Sequence, residues 1–354
     1  MSRFAIVGAG WRTEFFLRIV AALPERFSVS AVVVRKPERA AELTQRFGVS
    51  CVATLDDALA TKPDFVVTSV PWGANPQILH ALHQADMPTL SETPPAPDLA
   101  TMRALWEALG SKARVQIAEQ YPFQPEIAAQ LAVAHSGRIG TPSQAQVSLA
   151  HGYHGMVVIR RFLGVGVGSV TLQARTFAAP LIKSPGRSGP PPAEALIASS
   201  QTLGWLDFEE GKLGVFDFTG DQYFSWVRSG RALVRGERGE LDRQSVRWLT
   251  DFQTPVEAPF VRREAGRGGN LEGFSLAGIT LGESWVWKNP FFAARLADDE
   301  LAIAECLARM ETFIGGGPGF YSLAEALHDH HLGICLDQAA KEGLVVRTER
   351  MPWW

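Results

Sequence analysis

A short apolar run, Phe4-Ala5-Ile6-Val7, ends in Gly8-Ala9-Gly10, and residues 13–23 then place Phe16, Leu17, Val20 and Leu23 at helical spacing. Strand, glycine turn and helix in such quick succession open a βαβ unit, which commits the following strands to a parallel sheet. Residues 29–34 read as the second strand, and 37–47 as a charged helix with Pro37 in its first turn. Strands over 65–70 and 89–90, with a helix over 76–84 between them, continue the alternation. The expectation for residues 1–120 is a doubly wound α/β domain with helices on both faces of its sheet.

From about residue 143 the texture changes. Runs over 144–149, 170–177, 202–208, 213–218, 223–227 and 231–235, punctuated by glycine turns, predict a mostly antiparallel sheet. Stretches dense in glycine and proline at 184–192, and in glycine at 266–270, read as loops. Helices return over 298–313 and 322–342, the first with an apolar stripe of Leu301, Ala304, Leu307 and Met310. Residues 121–354 thus form a second, larger α/β domain, and the terminal helices within 298–342 are expected to pack back toward the first. Two domains also suit a chain of 354 residues.

Lys+Arg 34 against Asp+Glu 37 leaves a formal net charge of -3. That balance gives no broad basic footprint, so neither nucleic acid nor an anionic membrane is an expected partner. No segment reaches the eighteen or so uninterrupted apolar residues of a membrane span. Cys51, Cys306 and Cys335 are scattered and odd in number, which fits neither a disulfide framework nor a zinc ribbon. No apolar signal stretch precedes the first strand, so a cytoplasmic setting is expected. His328-Asp329-His330-His331, and His80 with His83, lack recognisable ligand spacing, and no metal is expected.

Gly8-Ala9-Gly10-Trp11-Arg12-Thr13 keeps the first two glycines of the G-x-G-x-x-G dinucleotide turn and has Thr13 at the third. Gly8 permits the tight turn, and Gly10 lets the backbone approach a pyrophosphate at the start of the helix. Trp11, Arg12 and Thr13 complete this candidate cofactor turn. A ribose-binding acid is expected about 20 residues further on. Arg35 and Lys36 follow Val34 instead, and two cations without a carboxylate suit a 2′-phosphate. NADP is therefore expected, with NAD also possible.

Two later segments add a resemblance. Thr68-Ser69-Val70-Pro71 closes one strand and Leu90-Ser91-Glu92-Thr93-Pro94-Pro95 another. With the glycine turn, they make the chain resemble the Gfo/Idh/MocA (glucose-fructose oxidoreductase / inositol dehydrogenase) family over nearly its whole length. The resemblance implies a Rossmann doubly wound parallel sheet plus a C-terminal α/β domain with a large, mostly antiparallel open sheet. That sheet often mediates assembly in the family, so a homo-oligomer, dimer or tetramer, is expected. Also implied is a nicotinamide-dependent oxidoreductase acting on a hydroxyl or carbonyl of a sugar, cyclitol or similar polyhydroxylated small molecule. The family's Glu-Lys-Pro resembles Glu92-Thr93-Pro94, which loses the lysine that positions substrate and moves a proton. Its Pro-x-x-x-His turn is similar to Pro71-Trp72-Gly73-Ala74-Asn75, and its Asn followed by Arg-Phe-x-Pro to Gln120-Tyr121-Pro122-Phe123-Gln124-Pro125. Ser69, Pro71, Trp72, Asn75, Glu92, Thr93 and Gln120 are thereby expected at the cofactor, and Tyr121 at the substrate. His154, ten residues before Gly164, has the spacing of the family's catalytic histidine, although Ala150 and Val157 replace its two flanking acids.

Hydride transfer to or from a carbonyl carbon needs a group that gives or takes the hydroxyl proton, and histidine titrates nearest neutrality. His154 is the expected acid/base. His151 and Tyr153 are candidates to orient substrate or relay the proton, and Lys288 is a candidate substitute for the lost lysine. Arg160 and Arg161 read as exposed charges or ion pairs. Two other readings stay open. One is a redox-assisted glycosidase or lyase with tightly held cofactor; the other is a non-catalytic nucleotide-binding sensor.

Overall fold

The computed structural model describes residues 1–269 and 271–354, so the last position of the loop expected at 266–270 lies outside the described residues. β1 (Ser2–Val7) is buried at every position but Arg3, as a parallel strand covered on both faces must be. The chain continues through α1 (Trp11–Ala22), β2 (Phe27–Val33), α2 (Pro37–Phe47), β3 (Cys51–Val52), α3 (Leu55–Ala60), β4 (Phe65–Thr68), α4 (Asn75–Gln84), β5 (Thr89–Ser91), α5 (Leu99–Leu109) and β6 (Val115–Ile117). Pro37 sits in the first turn of α2, and Gly48 ends that helix at φ 67. The six strands run parallel in the order β3-β2-β1-β4-β5-β6. The order reverses between β1 and β4, and the crevice at the carboxyl ends of those strands is where such sheets take ligands.

A 3-10 turn at Tyr121–Phe123 leads into α6 (Pro125–Ala134), β7 (Pro142–Ser148) and α7 (Gly152–Leu163). β8 (Val170–Ile182), β9 (Leu196–Phe208), β10 (Lys212–Phe218), β11 (Arg231–Gly236), β12 (Gly239–Asp242), β13 (Ser245–Asp251), β14 (Thr254–Ala265), β15 (Ser275–Leu281) and β16 (Ser284–Lys288) follow. α8 (Asp298–Ile314), α9 (Leu323–Glu342) and β17 (Val346–Arg347) close the chain. The second sheet has 11 strands, ordered β16-β15-β14-β13-β12-β11-β7-β10-β9-β8-β17. It is antiparallel except where β10 lies beside β7, the mostly antiparallel open sheet expected from the sequence.

The strand expected over 223–227 does not form. A 3-10 turn occupies Gly220–Tyr223, fixed by reciprocal bonds between Thr219 and Gln222, and the Gln222 amide donates to the Ser148 carbonyl at 2.6 Å. Tyr223, Phe224, Trp226 and Val227 mimic a strand in composition, yet all four are exposed, Trp226 to 80%.

α7 lies on the second sheet, where Met156, Val158, Ile159 and Phe162 join Val147, Leu206, Phe216 and Val234 in one core. The helix sits unusually close to β10, because a Cβ on Gly155 would stand 2.5 Å from the Phe216 ring. α9 packs beside α7, with Gly333 close to the Tyr153 backbone nitrogen, 3.1 Å from where a Cβ would stand. α8 leaves the second domain: its Leu301, Ile303, Leu307 and Met310 share a core with Phe4, Ile6, Phe16 and Ile19. α9 bridges, packing Leu323 and Leu327 with Met102, Leu105 and Ile117 as well as Val157.

Candidate active site

The glycine turn is shaped by close approach. Gly8 has φ +124, and a Cβ there would lie 2.0 Å from the Ser69 carbonyl oxygen, so only glycine lets β1 and the end of β4 meet. Thr13, fully buried, donates its hydroxyl to the Gly8 carbonyl at 3.0 Å. The residue at the third glycine position therefore closes the turn rather than weakening it. Gly10 caps α1 with no side-chain bond, and no atom lies within 4 Å of its would-be Cβ. The first N–H groups of α1 thus face an open space at the positive end of the helix, which fits a pyrophosphate. Thr68 Oγ1, Asn75 Oδ1 and Gln120 Oε1 are buried acceptors without a partner among the described residues. Thr68 ends β4, Asn75 opens α4 and Gln120 follows β6, all on the carboxyl side of the sheet. The residues present suit a dinucleotide.

Other expected cofactor residues are spent on one another. Arg12 Nε lies 2.8 Å from Glu92 Oε1, tying the glycine turn to the end of β5. Burial opposes the charge on Arg12, but Glu92 outweighs it and holds the guanidinium above its ordinary value. Asn75 uses its amide on Ser91 Oγ at 2.9 Å and the Pro95 carbonyl at 3.1 Å. Ser69 is buried beside Gly8, whereas Pro71 and Trp72 are exposed. Arg35 and Lys36 are exposed just past β2, and neither is paired with a carboxylate among the described residues. Arg39, which the sequence reading missed, donates to the Ala9 carbonyl at 2.9 Å.

His154 lies in the first turn of α7, nearly buried, with Nδ1 2.6 Å from Oε2 of Glu119. Glu119 is fully buried just after β6, and its Oε1 accepts the Tyr121 N–H at 3.1 Å. The carboxylate absent at Ala150 and Val157 thus arrives from the end of the first domain's sheet. Sequence reasoning passed it over, although an acid directly after the apolar strand Val115-Gln116-Ile117-Ala118 was a usable signal. Around His154 the rings of Tyr153, Tyr121 and His151 stand at centroid distances of 4.2, 4.8 and 5.0 Å. Tyr223 joins them: its hydroxyl accepts the His151 backbone N–H at 3.2 Å and lies 2.9 Å from His151 Nδ1 and 3.4 Å from the Tyr121 hydroxyl.

Burial, helped by the neighbouring His154, lowers His151 to about 4, so it is neutral at pH 7. Burial also pushes the Tyr121, Tyr153 and Tyr223 hydroxyls up, which keeps them protonated donors. For Tyr153 a hydrogen bond with Thr93, the residue at the lysine position, works in the opposite direction. Lys288 is exposed on the edge strand β16, with Nζ 5.9 Å from the Trp285 ring centroid, and no contact among the described residues links it to His154. Arg160 takes the ion-pair reading rather than the exposed one. It is buried and holds Asp329 with two bonds of 2.8 and 2.7 Å, while Tyr321 donates to the same carboxylate at 2.7 Å. Arg161 pairs with Glu325 at 2.9 Å. No group of three or more metal-ligating side chains occurs among the described residues.

A reversed-order parallel sheet with a bare glycine turn, capped by a second domain that brings a histidine to its carboxyl edge, is the plan of the two-domain nucleotide-dependent oxidoreductases. Residues 2–120 match the model of the oxidoreductase family with NAD-binding Rossmann fold, Gfo/Idh/MocA. No curated protein matches the chain in sequence. Several solved structures share the fold across both domains. A levoglucosan dehydrogenase in complex with NADH and levoglucosan is 17% identical, covering 99% of this chain and 100% of that one, at TM-score 0.71. An oxidoreductase from Agrobacterium radiobacter in complex with NAD+, L-tartaric acid and magnesium is 18% identical over 98% of each chain, at TM-score 0.68. A myo-inositol dehydrogenase from Corynebacterium glutamicum is 19% identical over 99% of each chain, at TM-score 0.67. No helix among the described residues is long and apolar enough to cross a membrane.

Proposed function

We propose that this oxidoreductase is an NAD(P)-dependent dehydrogenase of a sugar, cyclitol or similar polyhydroxylated small molecule, with His154 as its acid/base. The observation that carries the reading is the buried bond between His154 Nδ1 and Glu119. The levoglucosan and myo-inositol dehydrogenases of the same fold support the substrate class. A bound nicotinamide supplies the hydride acceptor or donor.

The protein's own part is to move the hydroxyl proton. Glu119 takes the Nδ1–H bond, which fixes the tautomer and leaves Nε2 to remove a proton as an alcohol is oxidised, or to return it in reduction. The same carboxylate stabilises the imidazolium formed in between. Tyr153 and Tyr121 stay protonated and His151 neutral, so they offer uncharged hydrogen bonds to a polyol without presenting a competing cation. Thr93 likewise brings a hydroxyl where a lysine would bring charge. Arg35 and Lys36, not held by any carboxylate among the described residues, favour a 2′-phosphate and hence NADP.

Two measurements test this. NADPH and NADH titrations followed by tryptophan fluorescence test the cofactor, and binding of neither would overturn the reading. Turnover on a panel of sugars and cyclitols tests the acid/base: His154→Ala is expected to lower kcat by on the order of 10²–10⁴-fold. Equal rates for variant and wild type would remove His154 from the chemistry.

A further inference from the structure

β8 and β9 pair continuously from Val170 with Phe208 to Ile182 with Leu196. Their outer neighbours are shorter: β10 meets β9 only from Thr202 to Phe208, and β17 meets β8 only at Thr171 and Leu172. Beyond the Thr176–Thr202 pair the hairpin overhangs the sheet as a two-stranded arm. The arm is built rather than loose. Gln201 donates to Asp217, which also takes Arg231 at 2.6 Å, and the Ser199 and Thr219 hydroxyls bond at 3.2 Å. At the tip Lys183 donates to the Ala195 carbonyl at 2.8 Å, and Gly186 and Gly189 exchange bonds of 2.9 and 3.0 Å. Pro185, Pro190, Pro191 and Pro192 stiffen its flanks.

Arg187 sits inside that turn, and its guanidinium carbon lies 4.6 Å from the centroid of the Trp11 ring. Trp11 is the first residue of α1, directly after Gly10, and is 60% exposed. The second domain thus sets a cation on the rim of the glycine turn, at the positive end of α1. Arg187 makes no ion pair among the described residues. A guanidinium beside a helix N-terminus repels it, and an anion lying between the two turns that repulsion into attraction on both sides.

We propose that Arg187 is a phosphate ligand of the dinucleotide site, steadied on the Trp11 indole, and that the arm beyond Thr176 and Thr202 straps the pyrophosphate against α1. The proposal rests on the reading of the glycine turn as a dinucleotide site. It adds a residue from the far domain that no glycine-turn pattern contains. The bond is ionic and planar, so lysine at 187 retains charge but loses the flat face that meets the indole.

The test is nucleotide binding by the full chain. Affinity for NADPH and NADH is measured by calorimetry, and release by rapid dilution, for wild type, Arg187→Ala and Arg187→Lys. Arg187→Ala is expected to weaken binding about tenfold, mainly through faster release, and to flatten its salt dependence. Arg187→Lys is expected to fall between. The melting temperature without nucleotide should not move, because Arg187 is exposed. In wild type, NADPH should slow trypsin cleavage after Lys183 and Arg187. Unchanged affinity and release in Arg187→Ala, with wild type binding normally, would overturn this proposal alone. Wild type that binds neither nucleotide would overturn the dinucleotide reading along with it.

Discussion

Glu119 and His154 stand 35 residues apart in sequence and 2.6 Å apart in space. Both carboxylate oxygens of Glu119 are taken up by His154 and the Tyr121 N–H, so its loss should act on rate rather than on substrate affinity. Glu119→Gln keeps the shape but not the charge, and kcat is expected to fall on the order of 10²-fold or more while KM changes little. Steady-state kinetics would show it, and a rise in KM at constant kcat would contradict the role. The paired change Arg35→Ala with Lys36→Ala should weaken NADPH about tenfold and leave NADH nearly unaffected; equal losses for both would place the 2′-phosphate elsewhere. His154 and Tyr121 were offered as candidates by the family resemblance, and His151 and Tyr153 as neighbours of His154 in the chain; their rings lie together in the structure. Glu119, Tyr223 and Arg39 were not among those candidates. Tyr223 and Arg39 act on partners far along the chain, with nothing nearby to mark which way they turn. Glu119 had a local signal, an acid closing a buried strand, but a partner 35 residues away.

At the scale of elements, the first domain was the more readable. Its strands are short apolar runs buried on both faces, so hydrophobicity alone finds β1, β2 and β4. β8 and β9 leave one face to solvent, and residues 223–227, equally rich in aromatics, make a turn and open loop instead. What decides between them is the bond from Gln222 to Ser148, a contact across 74 residues. α7 shows how an element carries chemistry. Gly155 lets it settle onto Phe216, and that depth sets the height of His154 one residue earlier. Gly155→Ala would put a methyl 2.5 Å from the Phe216 ring. The expected cost is about 1–3 kcal/mol of stability, with a parallel fall in kcat, read from urea midpoints and turnover. Full activity at wild-type stability would mean that α7 has slack. Gly8→Ala would drive a methyl into the Ser69 carbonyl and should abolish nucleotide binding in the same titrations.

Across the whole molecule, α9 carries a chain of buried histidines. Burial, then Arg160 and His331, lowers His328 to about 3, and burial lowers His331 to about 4. Neither nitrogen of His328 has a partner among the described residues, and its ring lies 5.7 Å from Trp354. An unfolded histidine titrates near 6.5, so between that pH and these lowered values the unfolded chain binds more protons than the folded one. Stability should therefore be lost as pH falls below about 6.5, by up to about 1.4 kcal/mol per pH unit for each such histidine. His328→Phe, which keeps a ring against Trp354, should hold stability at pH 7 and make the fall between pH 6.5 and 4.5 shallower. Urea melts at pH 7, 6 and 5 would measure both slopes, and identical slopes would clear His328 of any part in acid sensitivity.

The placement of α8 also bears on how the protein comes into being. Phe4, Ile6 and Phe16, synthesised well before α8, are buried against Leu301, Leu307 and Met310. The nucleotide sheet can be synthesised and paired long before the helix that seals one of its faces exists. During that interval the nascent chain carries an uncovered apolar surface.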